Sequence, residues 1–295
     1  MPPLASRQKN ATCLPGYSRA WRAPMQAVLT GKLRRPILAP PMATRSASFD
    51  AIILRAKEVP SGARVVTLLS ADEGIVEAFV FGGGKSKLRS LASPWYFGKA
   101  WIYRDASRGL VKLTDFDAVR EYPGIRADLP SIAAASFASE FMAATSALGG
   151  DWADALSLCA DFLSALDEAS GRGEPEATAR ALALFAMRAL ELMGLSPDGD
   201  ECSACAGALR RDTLHSYSRR TGGFLCARCA ASENDAVALP AGALAWLEAA
   251  AARSFGDAVR VGLGRDALSA LKACALDLAR KAADAPLRTL DSGLL

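Results

Sequence analysis

The chain has 295 residues, 51% of them apolar. That is enough to build two domains with cores of their own, and it excludes an intrinsically disordered protein. The longest stretch free of charge, residues 236–247, is too short to cross a bilayer as a helix. The net charge is +4, but residues 1–49 carry eight basic groups and no acidic one, which leaves 27 basic against 31 acidic in the remainder. The body of the protein is therefore not generally basic, and any nucleic-acid surface has to be a local patch.

Residues 1–47 read as a basic leader rich in Pro, Ala, Ser and Arg, without periodicity. It has no apolar segment of secretory type, so export is not expected. A disordered leader is expected, or one added by a start codon placed ahead of Met42. Its basic, acid-free composition also resembles an organelle transit peptide, kept as the lesser alternative.

Residues 48–125 have β texture. "AIILRAK", "ARVVTLLS", "IVEAFVF", "WYFGKAWIYRD" and "LVKLTDFDAVREY" are five runs of strand length, rich in β-branched and aromatic residues. "VPSG", "ADEG", a glycine–lysine loop and "ASRG" separate them with turn chemistry. Five short strands in so few residues predict a small closed barrel, of OB type first and SH3-like second. The glycine–lysine loop "FVFGGGKSKLR" resembles the end of a nucleotide-binding loop. A Walker motif would require glycine where Phe79 stands, and a long helix after the lysine, where Pro94 soon intervenes. A nucleotide site is not expected. Lys85, Lys87 and Arg89 instead are candidates for contacting nucleic-acid phosphate, with Arg104 and Arg108 in the next turn. Trp95, Tyr96, Trp101 and Tyr103 offer stacking faces for bases, although core packing accounts for most such aromatics.

Residues 126–295 turn helical. Segments 130–149, 151–169 and 175–194 are dense in Ala and Leu. In the third, Leu182, Phe185, Ala186, Ala189, Leu190 and Met193 form one face, while Arg180, Arg188 and Glu191 mark the other. Gly194 and Pro197 close it. Further helices are expected at about 239–254 and 265–283.

An insert at about 200–232 holds "CSAC" and "CARC", with 20 residues between Cys205 and Cys226. C-x2-C-x20-C-x2-C is a structural zinc pattern: each tight turn aims two thiolates, and two turns complete a tetrahedron. Cys202, Cys205, Cys226 and Cys229 are the expected ligands of one structural Zn2+. A short β-ribbon between the pairs would bring the turns together. Two C-x-x-C pairs at ribbon spacing argue against a redox motif. The other three of seven cysteines, Cys13, Cys159 and Cys274, lie far away in sequence, and the last two read as core residues. Four thiolates leave no open coordination position, so such a site is structural. His215, the only histidine, reads as an exposed ribbon residue, with a ligand role as the alternative. One histidine so placed makes histidine-based acid–base chemistry hard to build. Asp115 and Asp117 on one strand face are the sole carboxylate pair suggestive of a metal-dependent nuclease, a pattern that solvated strand residues also give.

The order of small barrel, helical bundle and four-cysteine insert after "RALELMGLSPDGDECSAC" resembles the bacterial recombination mediator RecO family. "YSRRTGGFLCARCA" is similar to that family's second cysteine turn and "APLRTL" to its C-terminal run. The resemblance spans about residues 48–291. It implies an α+β protein: an N-terminal five-stranded OB-type barrel, then a helical domain carrying a zinc-ribbon-like insert. It also implies a non-catalytic, cytoplasmic, nucleoid-associated protein with no membrane association. Such a protein binds single- and double-stranded DNA and anneals strands coated with single-strand-binding protein, whose C-terminal tail it docks. With RecR it promotes RecA loading. The glycine–lysine loop would then touch DNA phosphate. The rivals are a metal-dependent nucleic-acid enzyme and a zinc-stabilised scaffold without a DNA role.

Overall fold

The computed structural model of the chain describes residues 45–60, 62–82, 86–145, 151–210, 214–283 and 285–295. The five expected strands are present: β1 Ser46–Glu58, β2 Arg64–Ser70, β3 Gly74–Val80, β4 Phe97–Asp105 and β5 Leu110–Arg120. A short helix, α1 Lys87–Leu91, connects β3 to β4. The strands close in the order β1-β2-β3-β5-β4, with β4 returning to β1. Neighbours pair antiparallel except β3 and β5, which meet in parallel at Phe79 and Lys112. This is the five-stranded OB-type closure, and the SH3-like alternative falls away. Phe49, Ile53, Val66, Leu68, Ile102, Leu113 and Phe116 fill the interior. Closure at β4–β5 needs the glycine at position 98, because a Cβ there would lie 2.0 Å from the Asp117 carbonyl oxygen.

The two sides of the barrel are dressed differently, and the sequence pattern says why. In β4 the residues alternate, with Gly98, Ala100 and Ile102 buried and Lys99 exposed between them. That is a sheet with one face in the core and one free. In β1 and β2, Ala51–Ile52–Ile53–Leu54 and Thr67–Leu68–Leu69–Ser70 are buried without interruption. Ile53 and Leu68 point into the barrel, whereas Ile52, Leu54 and Leu69 belong to the core of the helical part. The β1–β2 side is thus cemented to the helices, and the β4–β5 side is left open.

The helical part begins with α2 Pro123–Ala127 and α3 Leu129–Ala144, followed by α4 Trp152–Arg172 and α5 Pro175–Leu192. Helix boundaries follow their capping chemistry. Asp128 accepts from the Ser131 amide at 2.9 Å, and Asp151 accepts from the amides of Ala153 and Asp154. Gly173, at φ 65°, stops α4 before Pro175 starts α5. The central α5 packs against α3, α4 and two later helices, α8 Phe255–Arg260 and α9 Arg265–Ala282. Trp152, at the start of α4, covers Gly74 of the barrel so closely that a Cβ would lie 2.7 Å from its ring. The Trp95 indole N–H reaches Ser139 Oγ on α3 at 3.2 Å.

Between α5 and α8 lie the strands β6 His215–Ser218 and β7 Gly223–Leu225, the one-turn α6 Ala227–Ala230, then β8 Ala236–Leu239 and α7 Ala243–Ala251. Where sequence texture suggests one helix over 239–254, the chain instead finishes a strand at Leu239. Pro240 follows, and α7 starts only after Gly242, whose φ is 93°. No described helix is long and apolar enough to cross a membrane.

The C-terminal run is tied down. Leu287 is buried, and α10 Arg288–Asp291 follows it. Glu140 on α3 accepts from the amides of Arg288 and Thr289, both at 2.9 Å, and from the Thr289 hydroxyl at 2.7 Å. Burial alone would raise the Glu140 carboxyl, but these donors outweigh it and hold its pKa below the ordinary value. A depressed folded pKa means that the contribution is present above the unfolded value of about 4.3 and is lost as pH falls through the folded one. Glu140→Gln should therefore cost about 1 kcal/mol at neutral pH, less than the usual contribution of a charged acceptor because the group is partly solvated. The difference between variant and parent in chemical denaturation should shrink as pH drops below 4; a difference that is constant with pH would contradict this account.

Candidate metal centre and nucleic-acid face

The insert converges on its four cysteines. β6 lies between β7 and β8 in a three-stranded sheet, and the Ser203 amide bonds the Phe224 carbonyl at 2.8 Å, joining the first cysteine turn to β7. Each turn closes on itself: the Ala206 amide donates to the Cys202 carbonyl at 2.8 Å, and the Ala230 amide to that of Cys226 at 3.0 Å. Close approach of the turns requires Gly223, where a Cβ would sit 2.5 Å from the Ser203 Cβ. As a result the sulfur atoms of Cys202, Cys205, Cys226 and Cys229 all lie within 4.8 Å of one another. No other described group of His, Cys, Asp and Glu side chains is arranged to hold a metal.

The four are thiols, not disulfides. Cys205 and Cys226 are 3.9 Å apart at sulfur. Four thiolates placed tetrahedrally at a zinc–sulfur distance of 2.3 Å stand about 3.8 Å from one another, so this spacing suits a metal ion of that size. The electrostatics point the same way. Burial raises the Cys202 thiol, but the amides of Cys226, Ala204 and Cys205 overcompensate and bring it down to about 6. The Gly207 amide lowers Cys205, with Arg228 adding to the effect. Hydrogen bonding to the sulfurs of Cys205 and Cys226 keeps the Cys229 proton in place, to about 12. The amides of the first turn thus favour the thiolate form of Cys202 and Cys205, the form in which sulfur binds a metal.

The cluster is wired to the main core. Cys202, Tyr217, Phe224 and Leu225 are all buried there. The Tyr217 hydroxyl donates to Asp277 on α9 at 2.7 Å, and Lys281 holds the same carboxylate at 2.6 Å. His215, expected to be exposed, is instead buried at 5% relative exposure. It sits on the middle strand of the insert's sheet with Nε2 against the Arg210 carbonyl, and it is not in the metal cluster. Cys159 and Cys274 are buried, as core residues should be, and burial raises both thiols. Cys13 lies outside the described residues.

On the barrel, the basic residues singled out from sequence divide. Lys85 lies outside the described residues. Lys87 is exposed at the start of α1, and Arg108 is 79% exposed with Asp105 at 3.7 Å. Arg104 pairs with Glu73 at 2.8 Å. Arg89 is folded inward: it pairs with Glu58 and donates to the carbonyls of Gly62 and Gly82. Arg64 grips Glu58 from the other side and bonds the Arg89 carbonyl at 2.8 Å. Arg64 first, and then Arg89, holds the Glu58 carboxyl below its usual range. Glu58, Arg64 and Arg89 form a clasp that pins α1 across the end of β1 and β2.

The free β4–β5 side carries two of the aromatics singled out from sequence, Trp101 and Tyr103, together with lysines that the loop-centred reading passed over. Lys99, Trp101 and Tyr103 alternate with buried Ala100 and Ile102 and so share the outer face. Lys112 stands opposite Tyr103 in register, and Phe79 opposite Lys112. Lys99 lies 5.9 Å from the Trp101 ring centre and Lys112 lies 5.6 Å from that of Phe81, both within cation–π range. Phe81 is 44% exposed. The sequence signal was the strict alternation in "GKAWIYRD". Trp95 and Tyr96 lie elsewhere, under the Arg126 guanidinium at the joint with the helices. Asp115 and Asp117 are exposed on β5 opposite Trp101 and Lys99, and no third ligand joins them among the described residues.

Comparison with known proteins agrees with this architecture. The family description "Recombination protein O N terminal" matches residues 42–122, and "Recombination protein O C terminal" matches residues 126–284. The DNA repair protein RecO of an Anaeromyxobacter species is 30% identical over 78% of this chain and 90% of its own length. That of Myxococcus xanthus is 31% identical over 68% of this chain and 79% of its own. That of Pelotomaculum thermopropionicum is 30% identical over 68% and 75%. The matches cover both the barrel and the helical part with its cysteine insert, and the chain belongs to the RecO family of DNA repair proteins.

Proposed function

We propose that this protein is a non-catalytic recombination mediator. In this reading it binds single- and double-stranded DNA and anneals complementary strands coated with single-strand-binding protein, docking that protein's C-terminal tail. With RecR it promotes RecA loading, acting in the cytoplasm at the nucleoid. The observation that carries the reading is the open outer face of the barrel. Trp101, Tyr103 and Phe81 present flat apolar surface beside Lys99 and Lys112, and the opposite side of the same barrel is sealed by helices. Aromatic faces stack on bases whatever the sequence, and lysines beside them neutralise phosphates. Lys87 and Arg108 extend the basic rim, with Arg104 and Arg89 acting mainly through the conformation they hold, and Lys85 is added as a phosphate contact on its sequence alone.

One structural zinc ion bound by Cys202, Cys205, Cys226 and Cys229 belongs to the same reading, because four cysteine sulfurs within 4.8 Å of one another suit zinc. The ion would hold the insert together and take no part in chemistry.

The test is annealing of complementary strands precoated with single-strand-binding protein, followed by fluorescence without ATP and without magnesium. Faster annealing that weakens as salt rises is the expected result. A strict magnesium requirement, with strand cleavage that Asp115→Asn and Asp117→Asn abolish, would support the metal-dependent enzyme instead. No salt-dependent DNA binding at all would leave the scaffold.

A further inference from the structure

The four cysteines of the cluster do not stand in equal environments. Cys202 is buried at 2% relative exposure, Cys226 and Cys229 are half-buried, and Cys205 is exposed. An open cavity of about 510 Å³ lies on this side, lined by residues 201–206 with Asp198, Gly223 and Phe224. Solvent therefore reaches the cluster from the first cysteine turn. The sulfur 3.9 Å from Cys205 is that of Cys226, on the other turn. An exposed sulfur that a peroxide can approach, with a second sulfur just behind it, is the arrangement of a reactive and a resolving cysteine.

We propose that Cys205 is the oxidant-sensitive thiol of the cluster and that it closes a disulfide with Cys226, releasing the bound metal. The proposal rests on the reading of the cluster as a metal site only for the release. The cross-link depends on the sulfurs alone.

The chemistry balances with hydrogen peroxide as the oxidant. The Cys205 thiolate attacks one peroxide oxygen; a sulfur–oxygen bond forms, the oxygen–oxygen bond breaks, and hydroxide leaves. Cys226 then attacks the Cys205 sulfur, the sulfur–sulfur bond forms, and the second hydroxide departs. Two thiolates lose two electrons between them, and with two protons the peroxide becomes two waters. Sulfurs now 3.9 Å apart must close to about 2.05 Å, a movement that exposed Cys205 can supply and buried Cys202 cannot. Two of the four ligands are then gone. Cys159 and Cys274 do not compete, because both are buried and burial raises both thiols.

The experiment uses the full-length protein as purified. Metal content is measured first, which tests the metal reading by itself. The protein is then treated with about one equivalent of hydrogen peroxide beside a chromogenic zinc chelator, and the cross-links are mapped by peptide mass spectrometry. The expected outcome is one Cys205–Cys226 disulfide for each metal released. If the protein carries no metal, the same cross-link is still expected. Cys205→His keeps a zinc-ligating side chain, so it should retain the ion and slow peroxide-driven release by about an order of magnitude. A dominant Cys202–Cys205 or Cys226–Cys229 cross-link, a disulfide using Cys13, or undiminished release from Cys205→His would each overturn the proposal.

Discussion

Cys226→Ser is expected to yield protein with little bound metal, lower solubility and a thermal midpoint lower by about 10 °C. Structural zinc supplies folding free energy directly, with apparent values of about 10–16 kcal/mol in small finger peptides. Losing even about 4 kcal/mol would produce that shift in a chain of this size. The damage should spread beyond the insert. Cys202, Tyr217, Phe224 and Leu225 are buried in the same core as α5 and α9, and the Tyr217–Asp277–Lys281 group ties the sheet to α9. Hydrogen exchange should accelerate in β6, β7, β8 and the adjoining part of α9, and least in the barrel. Elemental analysis, calorimetry and exchange on parent and variant decide the matter. A variant with its full stability, or a purified parent with well under half an equivalent of zinc, would sink the structural-zinc claim.

The second large effect is expected on the barrel's open face. Replacing Trp101 and Tyr103 together by alanine should weaken single-strand binding about 30-fold, taking the lower end of about 1–3 kcal/mol for each stacked base. Folding should survive, since both side chains point away from the barrel interior. Lys99→Ala and Lys112→Ala should act differently: each lost phosphate contact lowers the salt slope of log K by about 0.7 on single strands. Arg89→Ala makes the instructive contrast. Sequence places it with Lys85 and Lys87 as a solvated loop charge, but in the clasp with Glu58 and Arg64 its removal should loosen α1. Titrations of labelled oligonucleotide at several salt concentrations separate the three cases. Unchanged affinity in the folded Trp101/Tyr103 double variant would take this face out of the DNA surface.

Much of this architecture was legible in the sequence because the signals were local. Strand alternation, turn residues and the C-x2-C spacing each act over a few residues, and all five barrel strands and the cysteine cluster follow from them. What was not legible depended on which faces meet. Arg180 and Arg188 read as the solvent face of α5. In the folded chain, Arg180 donates to the Val259 carbonyl at 2.7 Å, and Arg188 donates to those of Ala250 and Arg253 while lying over Phe255. They are covered by α7 and α8 and satisfy carbonyls there, a role that no helical periodicity reveals. The burial of His215 is not legible because β8, the third strand of the insert, is a run of four residues just ahead of the expected 239–254 helix that sequence texture does not mark, and without β8 the strand bearing His215 looks like an edge. Basic loop residues were favoured over the β4 face because lysine clusters stand out in sequence, whereas a lysine alternating with aromatics passes for an ordinary strand.

The uninterrupted burial of residues 51–54 and 67–70 also governs how the molecule can be divided. A fragment ending after β5 would keep all five strands yet bring Ile52, Leu54 and Leu69 out into water as a contiguous greasy strip. Such a strip invites self-association, so solubility and not strand pairing would limit the isolated barrel. The same cementing makes the boundary between the two parts a seam without a hinge: a load applied to the open face would pass straight into α3 and α4 instead of being absorbed by a linker.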